Sequence, residues 1–181
     1  MNLLAIIVGE LLSLAFFMVL LRLLLQWVRA DFRNPICQAV VRLTNPLIIP
    51  LRRLLPPIRK LDTATMVAVV VIAWLLVAVG FAFQPFPAVA LIWVQQIVLT
   101  IVYAVLWIYF WAVIVYALLS LIAPGGYSPL QSVLASLCEP VLGQFRRVIP
   151  IISGIDLSPL WACLAIQVIL YFLPHPLFFA W

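Results

Sequence analysis

The sequence predicts an all-α membrane protein with four transmembrane helices in two tandem helix-loop-helix repeats, joined by amphipathic interfacial loop helices. Three observations support this prediction: 68% of the 181 residues are hydrophobic, nine of the ten basic residues lie in two loops, and the chain repeats itself at an offset of 94 residues. Only 8% of the residues are charged, whereas soluble domains hold about 25%. So few charges exclude a soluble enzyme or a soluble binding module, and the high aromatic content excludes disorder.

Four apolar stretches supply the membrane helices, because a helix needs about 20 residues to cross about 30 Å of hydrocarbon. They cover residues 3–28, 64–83, 97–122 and 157–173. The fourth stretch is short, since Pro174 stops it. The first stretch is expected to stay as a helix, because it lacks the basic start and short apolar core of a cleaved signal peptide.

Basic residues orient these helices. Nine of the ten Lys and Arg residues fall in the two long loops, between helices one and two and between helices three and four. The positive-inside rule therefore predicts a multi-pass protein of the bacterial inner membrane, with cytoplasmic long loops and periplasmic termini. The tenth, Arg22, lies about 9 Å inside the first helix and is expected to snorkel to the same interface. The net charge of +5 is interpreted as orientation, so no nucleic acid partner is expected.

An internal repeat covers the chain, and residues 1–90 and 91–181 are two copies of one unit. Because each copy crosses the membrane twice, both copies share one orientation and are expected to be related by an axis along the membrane normal. The offset of 94 residues superposes six motif positions without a gap: Pro35 on Pro129, Pro46 on Pro140, Arg52 on Arg146, Arg53 on Arg147, Pro56 on Pro150, and Asp62 on Asp156.

The long loops are too apolar to lie free in water and are expected to rest on the membrane. Prolines at positions 46, 50, 56 and 57 predict that the first loop is broken into two short amphipathic helices, at about residues 35–44 and 47–55. The repeat predicts the same in copy two, at about residues 129–138 and 141–149.

At these loops the chain resembles the YggT family (YggT/YlmG-like) of small integral membrane proteins, as two tandem YggT repeats. In that family a Pro-rich, Arg-containing loop ends in an Asp before the second helix. Copy one departs from the pattern at residues 60–64, where copy two has Gly154 and Ser158-Pro159, so copy two is the better preserved of the two. The residues that carry the resemblance are Arg52-Arg53-Leu54-Leu55-Pro56 with Asp62, and Arg146-Arg147-Val148-Ile149-Pro150 with Asp156.

Two interpretations of the arginine pairs remain open. The pairs either clamp the loops to anionic lipid headgroups, with each basic residue contributing about 1 kcal/mol, or face each other across the pseudo-twofold axis. In that second case they hold an anionic headgroup, an acidic partner or a charged solute, because guanidinium groups bind carboxylate and phosphate in bidentate geometry. The flanking prolines belong to the same candidate lipid or partner contact.

The two aspartates are favoured as helix caps or as members of a salt bridge within the loop, over a role in proton relay. In copy two, Ser158 before Pro159 is a candidate cap for the fourth helix, which would leave Asp156 to pair with Arg146 or Arg147.

Glu10 and Arg22 are the ionisable residues inside a predicted span. Glu10 marks an ion path, a proton path or a partner contact, or else it is a neutral carboxyl bonded to another helix. Its candidate polar partners are Gln95, Gln96 and Gln167.

No catalytic constellation, cofactor site or metal site is expected. His175 is the single histidine and lies in the tail, without a nucleophile or acid nearby. The cysteines Cys37, Cys138 and Cys163 have neither zinc nor haem spacing, and reduced thiols are expected. The protein is therefore predicted not to be an enzyme.

The resemblance implies a non-enzymatic membrane protein, linked in bacteria to osmotic stress tolerance and ion balance, and in plastids to cytochrome assembly and to membrane or nucleoid organisation. Two hypotheses follow. The favoured one is a membrane scaffold or an accessory or assembly subunit that binds lipids and another membrane protein, or itself as a homo-oligomer. The alternative is a small oligomeric ion or osmolyte channel or transporter component. The absence of polar residues from Met66 to Phe83 counts against a pore within one chain.

Overall fold

The computed structural model describes residues 3–55, 62–81, 89–122, 128–148 and 156–176, and within these ranges it contains helices and no strand. The all-α prediction is therefore confirmed. The six helices, in chain order, are α1 (Leu3–Trp27), α2 (Pro35–Leu54), α3 (Thr63–Phe81), α4 (Ala90–Ile122), α5 (Pro129–Val148) and α6 (Ser158–Phe172).

Three of these helices are long and apolar enough to cross a membrane: α1 from Ile6 onward, α3 and α4. The apolar helix α6 has 15 residues and is shorter than the about 20 that a span requires, so the fourth crossing stays a prediction. Helix α4 begins at Ala90, earlier than the predicted residue 97. This first turn is held by aromatic packing, because the ring of Trp93 lies 4.6 Å from that of Phe81 and 6.2 Å from that of Trp74.

The prediction of two short helices in each long loop is wrong. Helix α2 continues through Pro46 and Pro50, and α5 continues through Pro140. Proline removes one backbone hydrogen bond, but its fixed φ of about −65° is compatible with a helix. All three rings lie on the exposed side of their helices, where the freed carbonyl groups can reach solvent or headgroups. The opposite, buried side then holds each helix together, since packing supplies most of the stability of helices in proteins.

The two amphipathic helices begin in the same way. The side chain of Asn34 accepts the N–H of Ile36 at 2.9 Å, and the hydroxyl of Ser128 accepts the N–H of Gln131 at 3.1 Å. A proline follows each cap at the first helical position, where its missing N–H costs nothing. Both helices have 20 residues and start 94 positions apart, which is the offset found in the sequence.

The chain divides into two compact units. Unit one comprises Met1–Leu23, Val40–Val105 and Pro174–Trp181, and unit two comprises Leu24–Ala39 and Leu106–Leu173. Fully buried side chains in unit one include Phe16, Val19, Ile48 and Leu76, and those in unit two include Leu25, Val113, Leu137 and Leu142. The proposed division into repeats at residues 1–90 and 91–181 stays a prediction.

Candidate functional site

In unit one, helix α2 buries one side and exposes the other. Val40, Thr44 and Ile48 are buried at intervals of four residues, as expected for one stripe of a helix. The other side carries Arg42 and Arg53, which are both exposed and are separated by three turns of helix. Three leucines are exposed on the same helix: Leu43 to 67%, Leu47 to 45% and Leu54 to 78%.

Arg22 is buried within unit one, with 2% of its surface exposed, and its predicted reach to the membrane interface stays a prediction. Its Nη1 donates to Thr44 Oγ1 at 2.8 Å and to Asn45 Oδ1 at 3.1 Å. Helix α2 therefore supplies two hydrogen-bond acceptors to the buried guanidinium. In turn, the hydroxyl of Thr44 donates to the carbonyl of Val40 at 2.7 Å.

An ion pair in unit one joins the end of α2 to the start of α3. Arg52 Nη2 lies 2.5 Å from Asp62 Oδ2, and Arg52 Nε donates to Asp62 Oδ1 at 3.3 Å, so the contact is bidentate. Asp62 Oδ2 also accepts from Thr65 Oγ1 at 2.6 Å, which places the carboxylate at the first turn of α3. The hydrogen bond to Asp62 raises the pKa of Arg52. The Asp62 side chain is 10% exposed, while that of Arg52 is 45% exposed.

The equivalent ion pair occurs in unit two. Arg146 Nε donates to Asp156 Oδ2 at 2.9 Å, and Arg146 Nη1 donates to Glu139 Oε2 at 3.0 Å. Asp156 Oδ1 accepts the N–H of Ser158 at 2.9 Å. The suggested cap role of Ser158 is wrong, because α6 begins after Leu157 without a side-chain cap hydrogen bond. Asp156 instead serves the helix start and the ion pair together.

In each arginine pair, the two members therefore have different surroundings. The first member, Arg52 or Arg146, is held by an aspartate. The second member, Arg53 or Arg147, is exposed and makes no ion pair within the described residues. Of the flanking prolines, Pro46 and Pro140 lie exposed on their helices, whereas Pro56 and Pro150 lie outside the described residues.

The groups of polar residues around the two ion pairs, Arg52–Asp62 in copy one and Arg146–Asp156 in copy two, differ at two equivalent positions. Asn45 in copy one corresponds to Glu139 in copy two, and Arg22 corresponds to Tyr116, at the offset of 94 residues. Burial acts to lower the pKa of Arg146, but hydrogen bonding to Asp156, with a further contribution from Tyr116, outweighs it and the pKa is raised. Copy one therefore assembles two cations and one anion, and copy two assembles one cation and two anions. No role was assigned to Asn45, Glu139, Thr44 or Tyr116 from the sequence.

Glu10 lies on an exposed part of α1, and its backbone carbonyl accepts from Ser13 Oγ at 2.8 Å. Gln95 and Gln167, suggested as its partners, are exposed as well. His175 is exposed, with its ring edge-on to that of Tyr103 at 5.9 Å. Within the described ranges, no group of three or more His, Cys, Asp or Glu side chains is placed to hold a metal ion.

All three cysteines are free thiols. Cys37 and Cys138 are buried, and burial raises the pKa of the Cys138 thiol to about 12. A neutral thiol is a poor nucleophile, so Cys138 behaves as a small packing residue at the position that Thr44 occupies in copy one.

The ion pair of unit two makes a testable contribution to stability against acid. Burial acts to raise the pKa of Asp156, but the hydrogen bonds from Ser158 and Arg146 outweigh it, and the pKa is lowered. A carboxylate with a lowered pKa stabilises the folded state above the ordinary aspartate value of about 3.9, and the contribution is lost as the pH falls through the folded-state pKa.

We therefore expect the difference in thermal stability between the natural protein and Asp156→Asn to be constant from pH 7 to about 5 and to shrink below about 4. The measurement is thermal unfolding of the purified protein in detergent across that range. A difference that stays unchanged down to pH 3 would show that the carboxylate charge contributes nothing.

Comparison with known proteins finds a match to the family described as CCB3/YggT, over residues 1–83 and again over residues 95–177. An uncharacterized protein of Pseudomonas aeruginosa is 38% identical over 162 residues, covering 87% of this chain and 81% of the relative. The uncharacterized protein YggT of Escherichia coli strain K12 is 34% identical over 169 residues, covering 93% of this chain and 88% of the relative. No solved structure matches the chain. The two matched regions are 94 residues apart, which agrees with two tandem repeats.

Proposed function

Because this chain belongs to the CCB3/YggT family, we propose that it is a non-enzymatic inner-membrane protein that acts as a scaffold or accessory subunit for another membrane protein. The proposed topology has four crossings, by α1, α3, α4 and α6, with α2 and α5 on the cytoplasmic surface and both termini in the periplasm. The distribution of basic residues supports this orientation. A role in osmotic stress tolerance is part of the proposal.

The observation that carries the proposal is the exposed side of α2. Leu43, Leu47 and Leu54 are exposed on α2, along one edge of the stripe that this helix buries in unit one. An amphipathic helix that only rested on its own protein would need a polar outer side. Exposed apolar residues bordered by charged groups are typical of a contact with a membrane or with another protein.

The two exposed arginines favour a protein partner with acidic groups near the cytoplasmic surface. Arg42 and Arg53 lie beside the exposed leucines, on the neighbouring exposed side of α2, and make no ion pair in the described part of the chain. A partner that meets the leucines in the centre and the arginines at the edge would have the apolar core and polar rim of ordinary protein interfaces.

The experiment is mild detergent extraction of the tagged protein from its native membrane, followed by quantitative mass spectrometry of the proteins that co-purify. We expect a partner at comparable abundance, and we expect Arg53→Glu to reduce its recovery at least tenfold. Arg33→Glu is the matched control. It makes the same charge change at an exposed residue of the α1–α2 connection, where the backbone N–H and carbonyl of Arg33 make its hydrogen bonds to Asp31 and Gln38.

Equal loss of the partner in both variants would show that recovery depends only on the total charge of the protein, and this would contradict the proposal. A homo-oligomer without a partner, together with ion or osmolyte flux in liposomes that changes in Glu10→Gln, would replace the scaffold by the alternative channel function.

A further inference from the structure

A cavity of about 480 Å³ lies along α5 within unit two. Six residues of α5 line it at helical spacing, so the cavity runs along one side of the helix: Ser136, Glu139, Pro140, Gly143, Gln144 and Arg147. Val28 closes it with an apolar contact. The wall thus combines one carboxylate, one guanidinium and two neutral polar side chains.

Only one of the two carboxylate oxygens of Glu139 accepts a hydrogen bond within the described residues. Its Oε2 accepts from Arg146 at 3.0 Å, whereas its Oε1 makes no hydrogen bond within the described residues. Oε1 lies over Gly143, 3.5 Å from the position that a Cβ atom would occupy there. The absence of a side chain at Gly143 therefore leaves open space beside Oε1, an acceptor on a side chain that is 63% exposed.

Arg147 supplies the opposite charge in the same cavity. It is exposed, and no carboxylate of the described chain pairs with it. Glu139 and Arg147 are about 12 Å apart along the helix axis, at 1.5 Å per residue. Both charged side chains line the same cavity, with Gly143 between them along the helix. The gap between the two charged groups is then suited to a small ligand with a charge at each end.

From this arrangement we infer that the α5 cavity binds a phosphoethanolamine group, with its phosphate on Arg147 and its ammonium on Glu139 Oε1. A guanidinium binds phosphate oxygens in bidentate geometry, and Gln144 adds an amide donor on the same side. A purely anionic ligand would meet the Glu139 carboxylate, and a purely cationic ligand would meet Arg147. A zwitterion satisfies both.

Copy one supplies an internal comparison. At the offset of 94 residues, Asn45 stands in place of Glu139, Ile49 in place of Gly143, and Pro50 in place of Gln144, while Arg53 corresponds to Arg147. Copy one thus keeps the exposed arginine but lacks the carboxylate, the open space and the amide. Binding of a phosphate group by surface charge alone would treat Arg53 and Arg147 alike, whereas the inferred site requires only Arg147.

The test is native mass spectrometry of the full-length protein in detergent, titrated with phosphatidylethanolamine or with phosphatidylglycerol. We expect one molecule of phosphatidylethanolamine to bind in preference to phosphatidylglycerol. Arg147→Gln and Gly143→Leu should each weaken this binding at least tenfold, while Arg53→Gln should leave it unchanged. Gly143→Leu fills the cavity without altering any charge, so it tests the site even if a charge variant perturbs the fold.

Equal binding of the two lipids, or equal losses in Arg53→Gln and Arg147→Gln, would overturn the inference in favour of general charge attraction. Free phosphoethanolamine added as a competitor shows whether the site prefers a soluble phosphoethanolamine or the headgroup of a lipid. Displacement of the lipid at similar concentration would support a soluble ligand, and retention of the lipid would support a headgroup held partly by its acyl chains. This test is independent of the scaffold proposal, which rests on α2.

Discussion

Removing both acceptors of Arg22, in the double variant Thr44→Val with Asn45→Leu, is expected to destabilise the protein by about 3 to 5 kcal/mol, the typical cost of leaving a buried charge without its partner. The guanidinium is 2% exposed, and its Nη1 donates to both side chains. Neither replacement residue can accept a hydrogen bond, so the charge would remain buried with its donors unsatisfied. The expected readout is a large fall in the thermal midpoint of the purified protein in detergent.

Replacing the charge itself should cost less. Arg22→Met keeps the apolar stem and leaves Thr44 bonded to the Val40 carbonyl, so we expect a loss of about 1 kcal/mol. Asn45→Asp should act in the opposite direction and raise the midpoint, because it places a carboxylate beside the buried guanidinium. If Arg22→Met were more damaging than the double variant, Arg22 would have a role beyond these hydrogen bonds.

Asp62→Ala is expected to cost about 3 kcal/mol, because it removes hydrogen bonds to a charged group and a contact at the start of a helix. The carboxylate is 10% exposed and receives Arg52 and Thr65 together. Asp156→Ala breaks the equivalent pair at a carboxylate that is 32% exposed, and we expect a smaller cost of about 1 to 2 kcal/mol.

Asp31→Ala is the matched control for both aspartate variants. Asp31 is exposed, and its side chain accepts the N–H of Arg33 at 2.9 Å, so its loss should change stability by less than about 0.5 kcal/mol. Thermal unfolding of the three variants in one detergent gives the comparison. Equal effects of Asp62→Ala and Asp31→Ala would show that the α2–α3 ion pair does not hold these helices together.

Much of this architecture was readable in the amino-acid sequence. Length and apolar character identified the three helices that are long and apolar enough to cross a membrane, because hydrocarbon requires about 20 apolar residues in any protein. The repeat was readable because its two copies have kept the same spacing, and α2 and α5 begin 94 residues apart as the motif predicted. The aspartates were correctly suggested as members of a salt bridge, since an acid ten residues after an arginine pair recurs in both copies.

Other features of the structure depend on how segments that are distant in the sequence pack against each other. Prolines alone favoured broken helices, and only the burial of one side of α2 and α5 explains why these helices continue. The partners of Arg22 are more than 20 residues away, on a different helix, and no periodicity in the sequence connects them. The single hydrogen bond that the Glu139 carboxylate accepts within the described residues depends on the positions of Arg146 and Gly143 around it.

The amino-acid sequence by itself thus determined the apolar, membrane-protein character of the chain, its three long apolar helices and its two-copy organisation, because these follow from local composition and spacing. Tertiary structure decided which arginine of each pair is held by an aspartate and which stays exposed. It also decided that Arg22 is bonded inside the protein and that a cavity opens beside α5. The physical reason is that burial and hydrogen-bond geometry arise between segments distant in the chain, whereas hydropathy is a property of each segment alone.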